Sequence, residues 1–113
     1  MTSLLLSTME TVPGHVIRKH LGLVQGSSVR SKHFGRDLMA SLKNMVGGEL
    51  KGYTELLQET RDEALERMQA EAVSIGANAV LNVRLATSSV ATGAAEVFAY
   101  GTAVVLEESP TTT

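Results

Sequence analysis

The chain of 113 residues contains no cysteine and no tryptophan, and it has only two prolines, two tyrosines and two phenylalanines. Without cysteine, the protein has no disulfide framework, no thiolate metal ligand and no cysteine nucleophile. With so few aromatic rings, the core has to be built mainly from Leu, Val, Ala and Met side chains. We therefore expect a small core, which burial between subunits would supplement.

A strong excess of either charge is also missing, because 10 Lys and Arg residues oppose 12 Asp and Glu residues, for a net charge of −2. Nucleic-acid-binding domains usually carry a basic patch, so this balance argues against a nucleic-acid partner. No apolar run approaches the roughly 20 residues of a membrane span. The run at 4–6 is short and lacks the basic region of a signal peptide. The sequence favours a cytoplasmic protein without a membrane partner.

A long helix is predicted from Tyr53 to Ile75, followed by a helix-to-strand joint at 76–80. Gly76 suits the left-handed conformation that ends many helices. Asn78 is expected in the tight turn after it, where its side chain can bond to its own backbone. The predicted helix has an apolar stripe with helical spacing, formed by Leu56, Leu57, Ala64, Leu65, Met68, Ala72 and Ile75.

Three elements, two strands and a shorter helix, are predicted before the long helix. Residues 3–8 are predicted to form a short strand, and residues 15–30 an extended strand in which Gly22 and Gly26 indicate a bulge or a close backbone approach. Residues 34–46 have the apolar spacing of a shorter helix of about three turns.

Two strands are predicted after the joint. Residues 79–90 alternate, so Ala79, Leu81, Val83 and Leu85 are expected on one face. A loop of small polar residues is predicted at 87–93. Residues 96–107 are apolar on both faces, which is typical of a central strand or one covered on both sides.

Together these elements predict an α+β fold in the order ββααββ. An antiparallel or mixed sheet would carry one long helix and one shorter helix packed on it. We expect a single domain over residues 1–113, with a core at about 3–107 and a frayed tail at 108–113. The second apolar face of the sheet predicts contacts with other copies of the chain, so the protein is expected to be a ring-forming subunit.

Metal ligands are few. The histidines are His15, His20 and His33, and the first two lie five apart in extended chain, which predicts opposite faces. That spacing favours surface histidines over a metal site. The five methionines offer soft sulfurs, but those with helical spacing are typical of core residues. A divalent metal is therefore weakly indicated, and its ligands are unknown.

Three polar groups are candidate sites with structural alternatives. Arg36 and Asp37 open the shorter helix, where Asp37 is favoured in the first turn or in an ion pair with Arg36 or Arg61 over a catalytic role. The motif Gly47-Gly48-Glu49 is interpreted as an interhelix turn rather than an anion site, because no Lys-Ser/Thr follows. A cross-strand polar group would line a pocket at a subunit boundary, face solvent or form intersubunit salt bridges; its members are Asn82, Arg84, Glu96 and Tyr100.

A series of short motifs, in order and without large gaps over about 3–107, resembles the YbjQ-like family, often labelled "putative heavy-metal-binding domain". The motifs are GLVQG at 22–26, FGRD at 34–37, GGE at 47–49 with Tyr53, RDEA at 61–64, GANAV at 76–80, VR at 83–84 and AYGTAV at 99–104. The resemblance implies α+β subunits that assemble into ring-shaped homopentamers, with short strands joining neighbours. It names no metal ligands. Polar positions that match its motifs are ligand-binding or structural candidates: Arg36, Asp37, Glu49, Tyr53, Arg61, Asn78, Arg84 and Tyr100.

Two functions follow from this sequence. The first is a homo-oligomeric binding module that holds a metal or a small polar ligand at subunit interfaces. The alternative is a structural ring protein without a small-molecule site. An enzyme is disfavoured, because no nucleophile or base pattern accompanies the polar residues.

Overall fold

The computed structural model describes residues 4–31, 48–91 and 94–110, and within them the side chains of 4–29, 54–88 and 95–110. In chain order the elements are β1 (Leu5–Leu6), β2 (His15–Ser31), α1 (Gly48–Ser74), β3 (Ala79–Ala91) and β4 (Ala94–Glu108). The predicted α+β class is confirmed. The shorter helix predicted at 34–46 lies outside the described residues.

The strands form one mixed sheet in the order β1-β3-β4-β2. β1 pairs with β3 in parallel, whereas β4 pairs with both β3 and β2 in antiparallel fashion. The last strand is therefore central, as its two apolar faces predicted. Among the described elements, the 17-residue β2 lies at one edge of the sheet.

Helix α1 packs on one face of the sheet, which we call the helix face. The helical residues in this contact repeat every four positions, and they are the buried Thr60, Ala64, Met68 and Ala72. Of these, Ala64, Met68 and Ala72 form one core cluster with residues of the sheet, which are Val24, Val80, Val83, Val97, Ala99 and Ala103. Ile75, which the periodicity places in the apolar stripe, is exposed, because it lies in the turn after the helix.

A polar network ties α1 to β2 beside this core. The buried Ser28 hydroxyl donates to Glu63 Oε1 at 2.6 Å, and Arg67 Nη2 lies 3.0 Å from the same oxygen. Arg67 Nη1 donates to the carbonyl of Ser27 at 2.6 Å. The i,i+4 pair on the helix thus also fixes the helix against the strand.

The predicted joint after the helix is confirmed at Gly76, whose φ is 90°. Asn78 then bonds to another strand rather than to its own backbone. Its Nδ2 donates to the Leu106 carbonyl at 2.9 Å, and its Oδ1 accepts from the Leu106 amide at 2.7 Å. The Asn78 side chain therefore substitutes for a neighbouring strand at this end of β4.

Several boundaries differ from the predictions, and β1 spans only Leu5–Leu6 of the predicted residues 3–8. Helix α1 begins at Gly48 rather than Tyr53, because the modest cost of Gly52 inside a helix does not outweigh the helix formers around it. β3 continues to Ala91, so most of the predicted 87–93 loop is strand, with ladder partners on β4. β4 includes Glu108, and the Ser109 amide donates to Gly14 at 2.8 Å, so pairing extends into the predicted tail.

Candidate functional site: the open sheet face

A β-bulge in β3 shifts the face on which its side chains lie. Leu81 pairs with Thr102 and Arg84 with Tyr100, so Asn82 and Val83 together oppose Gly101. Asn82 has a positive φ of 54°. The prediction that Leu81, Val83 and Leu85 share a face is therefore wrong: Val83 packs in the helix-face core and Leu81 in a cluster on the opposite face. Period-2 alternation holds only where no extra residue interrupts the ladder.

The sheet face opposite α1, which we call the open face, is covered only at one end among the described residues. There Val12 packs on a second small cluster, formed by Ala79, Leu81, Val104 and Leu106. Away from this end, large apolar side chains face outward: Leu23 is 68% exposed and Val29 55%. The register places both on the same face as Phe98 and Tyr100.

Arg84, Tyr100 and Gln25 form one row across the open face. The register pairs Tyr100 with Arg84 on one side and with Gln25 on the other. Directly opposite side chains on antiparallel strands are about 5 Å apart at Cβ. Tyr100 also packs on Phe98 of the next row, with ring centroids 6.0 Å apart.

Arg84 is held by main-chain carbonyls. Its Nη1 donates to Thr8 and to its own neighbour Val83, each at 2.9 Å. Arginine carries further N–H groups on Nε and Nη2, and these make no hydrogen bond or ion pair within the described part of the chain. The Tyr100 hydroxyl, on a residue that is 37% exposed, likewise has no hydrogen-bond partner there. The pair presents unused donors beside an apolar surface.

The sequence-predicted cross-strand group is only partly brought together. Arg84 and Tyr100 are directly opposed, but Glu96 lies two rows away, where Ser88 approaches it at 3.4 Å. Asn82 lies in the bulge, where its main-chain N–H donates to the Met9 carbonyl at 3.1 Å. Sequence reasoning missed Gln25 and Leu23, because nothing in a single strand shows which neighbours its register selects.

The other candidate residues are dispersed. Arg36 and Asp37 lie outside the described residues, as do the side chains of Glu49 and Tyr53. Arg61 lies on α1, at a groove of about 240 Å³ on the helix face that is lined also by Leu57, Leu85, Thr87 and Val97. Both polar atoms of the Asn78 side chain form hydrogen bonds with the main chain of Leu106, so this side chain has a structural role.

Metal ligands do not converge in the part of the chain that the structure describes. No three His, Cys, Asp or Glu residues there form a group that could hold a metal ion. A full set of protein ligands therefore does not come from the described residues of one chain. His33 lies outside these residues.

No helix among the described residues is long and apolar enough to cross a membrane.

This is the geometry of a small α+β protein whose sheet carries one long helix on one face and exposes apolar and polar rows on the other. A family model described as "Putative heavy-metal-binding" (YbjQ) matches residues 4–107, and the chain belongs to this family. The suspected YbjQ-like membership is thus confirmed.

Relatives of the chain extend over most of its length. It is 69% identical to a UPF0145 protein of Hahella chejuensis, over 92% of this chain and all of that protein. It is 59% identical to a UPF0145 protein of Thermus thermophilus, over 92% of this chain and 91% of that one. The fold is similar to a crystal structure of a protein of unknown function from Pediococcus pentosaceus, of the DUF74 family, with a TM-score of 0.63 and 14% identity. That match covers 92% of this chain and 98% of the other.

Proposed function

We propose that this protein is a homo-oligomeric binding module that uses the open sheet face to contact other copies of itself and holds a small polar ligand at the subunit boundary. The stoichiometry we propose is the homopentamer that the family resemblance implies. The observation that carries the proposal is the set of exposed apolar side chains on the open face, beside the unused donors of Arg84 and Tyr100.

The apolar side chains on this face support burial against a partner. Leu23 and Val29 are more than half exposed, and they lie in rows next to Phe98 and Tyr100. Contiguous exposed apolar surface marks contact sites in soluble proteins. Aromatic residues and arginine are also enriched in interfaces, so Tyr100 and Arg84 suit such a boundary.

The elongated shape of the protomer supports the same proposal. The radius of gyration is 18.2 Å and the longest extent is 63 Å, whereas a compact domain of this length has a radius of gyration near 13 Å. An elongated chain buries less of its apolar surface internally. Copies packed side by side would recover that burial, and we propose that a second copy of the chain covers the open face.

Arg84 and Tyr100 determine the class of ligand in the proposal. A guanidinium and a phenol hydroxyl both donate hydrogen bonds, and arginine forms strong paired bonds with carboxylates and phosphates. We therefore propose a small anion as the ligand. A metal at the same boundary would need donors from more than one chain, because the described residues of one chain supply no group of three.

The assembly is tested with matched charge substitutions. Leu23→Asp places a carboxylate on the open face, and Val73→Asp places one on α1 at an apolar residue that is 58% exposed. Sedimentation velocity should show a smaller species for Leu23→Asp and an unchanged oligomer for Val73→Asp. An unchanged oligomer for Leu23→Asp contradicts the use of this face.

Ligand binding is tested by thermal unfolding in inorganic phosphate and in citrate at constant ionic strength. A ligand at a hundred times its dissociation constant stabilises the folded state by about 2.7 kcal/mol, and this gain should be smaller in Arg84→Gln and Tyr100→Phe than in Arg61→Gln. If the oligomer forms but neither anion changes the midpoint, the alternative of a structural ring without a ligand site is supported instead.

A further inference from the structure

A groove lies between α1 and the outer part of β3 on the helix face. Its volume is about 240 Å³, and its described lining consists of Leu57, Arg61, Leu85, Thr87 and Val97. Helix α1 lies mainly over β2 and β4 and contacts β3 least of these three strands. The helix therefore leaves part of the β3 surface uncovered, and the groove occupies this gap.

The close contact between α1 and β2 explains why this part of β3 is uncovered. Gly26 has no side chain, and a Cβ atom there would lie 2.5 Å from the Ala64 carbonyl oxygen. The helix thus lies closest to β2, which is separated from β3 by β4. Val97 of the central β4 is buried, but Leu85 of β3 is 43% exposed. The groove has a buried apolar floor and an open apolar wall.

The register places both β3 residues of the groove on the helix face. Leu85 pairs with Ala99, and Thr87 pairs with Val97. Both partners on β4 belong to the helix-face core, and directly opposite residues of antiparallel strands share a face. The groove is therefore on the opposite side of the sheet from the row that contains Arg84.

Arg61 has no acidic partner on its own helix. Leu57 and Leu65 lie four positions away from it, and Gln58 and Ala64 lie three positions away. Residues at these spacings are the neighbours that a helical side chain contacts. In the part of the chain that the structure describes, the Arg61 guanidinium forms no hydrogen bond or ion pair.

Arg67, further along the same helix, is used differently. Its Nη2 lies 3.0 Å from Glu63 Oε1, and its Nη1 donates to the Ser27 carbonyl at 2.6 Å, so this guanidinium holds α1 to β2. Arg61 instead presents its positive charge beside the apolar wall of the groove. An apolar surface with one cation at its side is complementary to a ligand that has a hydrocarbon chain and one negative charge.

We propose that this groove binds a small amphipathic acid, an aliphatic monocarboxylate. Its carboxylate accepts hydrogen bonds from Arg61, because the guanidinium fork matches two carboxylate oxygens, and its chain packs on Leu57, Leu85 and Val97. The volume is below the roughly 300–1,000 Å³ of typical small-molecule pockets, which favours a single chain over a nucleotide. The site lies within one chain and goes beyond the proposed function, which depends on the open face.

The test is isothermal titration of the intact protein with sodium octanoate at constant ionic strength. Acetate, butyrate and hexanoate are the shorter probes, and the affinity should rise about fourfold for each methylene that the groove buries. Octylammonium has a similar chain and the opposite charge, so it should bind much more weakly. Phosphate and citrate, which probe the boundary near Arg84, have no such chain and do not test the groove.

Arg61→Gln should weaken octanoate binding by at least about tenfold, the effect of losing a hydrogen bond between charged groups. Arg61→Lys should lose less, because it keeps the charge but not the fork. Leu85→Ser should reduce the affinity for octanoate but not for acetate. Arg18→Gln and Val73→Ser are the matched controls at exposed residues outside the groove, and they should leave octanoate binding unchanged. Circular dichroism checks that the variants fold.

Three results overturn the site: wild-type protein that binds no octanoate, octylammonium that binds as tightly as octanoate, or Arg61→Gln that binds octanoate as tightly as the wild type. If the wild type binds none and Arg61→Gln lowers the unfolding midpoint, the ion pair with Asp37 that the sequence predicts is supported instead. Titration of Leu23→Asp separates the groove from the assembly. Retained octanoate affinity in a smaller species supports a site within one chain, and lost affinity overturns it.

Discussion

Gly26 of β2 lies against the backbone of Ala64 on α1. A Cβ atom at Gly26 would be 2.5 Å from the Ala64 carbonyl oxygen and 2.8 Å from the carbonyl carbon of Arg67. These are main-chain atoms, so they cannot move aside as a flexible side chain would. The helix contacts the sheet this closely because the strand has no side chain at this position.

Gly26→Ala should therefore destabilise the protein, by about 1–3 kcal/mol, as other overpacked cores are. Urea unfolding measures the effect through the transition midpoint. Ser27→Ala is the control, because the neighbouring side chain points to the open face, and its effect should be within about 0.5 kcal/mol. Equal stability of Gly26→Ala and wild type contradicts the close helix–strand contact.

Asn78 should be a stability residue rather than a ligand residue. Asn78→Ala removes both hydrogen bonds to Leu106, and the unpaired main-chain groups should cost about 1–3 kcal/mol. Asn82→Gly is the comparison. It also removes a side-chain amide, and glycine adopts the positive φ of this position without strain. If thermal unfolding shows the two variants to be equally stable, the Asn78 bonds to Leu106 contribute nothing.

Gly76 should tolerate only residues that adopt the left-handed region. Apart from its two chain neighbours, no described residue has a heavy atom within 4 Å of a Cβ placed there, so the expected cost of substitution is conformational. Gly76→Val should lose about 1–2 kcal/mol, and Gly76→Asn less, because Asn visits this region more readily. Chemical unfolding of both variants measures the difference. Equal stability of Gly76→Val and wild type contradicts the positive φ.

The sequence predicted those parts of the fold that depend on local patterns. The helix stripe, the glycine joint and the two-sided apolar central strand each involve one segment and one period. The shift of the β2 ladder between His20 and Gly22 was indicated by the glycine. The shift between Ile17 and Lys19 and the bulge in β3 were not placed, because a bulge is defined by a count of residues on two paired strands. Gly101 was the available signal: an isolated glycine inside a strand often marks a close backbone approach, and here it opposes Asn82 and Val83.

The candidate site was predicted less completely for the same reason. Arg84 and Tyr100 were grouped correctly because both belong to neighbouring strands with a short connection. Gln25 comes from β2, which is distant in sequence from β4, so no local pattern shows that it lies opposite Tyr100. The ladder shift between Ile17 and Lys19 also places His15 and His20 on one face, opposite Glu108 and Val104, rather than on the opposite faces that their spacing predicted.

We propose that the chain self-associates through the open face, and sedimentation equilibrium of the unmodified protein at micromolar concentration measures this association. We expect a stable oligomer, with the mass of five chains of 12.0 kDa each as the proposed stoichiometry. A single species of 12.0 kDa that persists as the concentration is raised contradicts the claim, because Leu23, Val29 and Tyr100 would then remain exposed to water in a stable monomer.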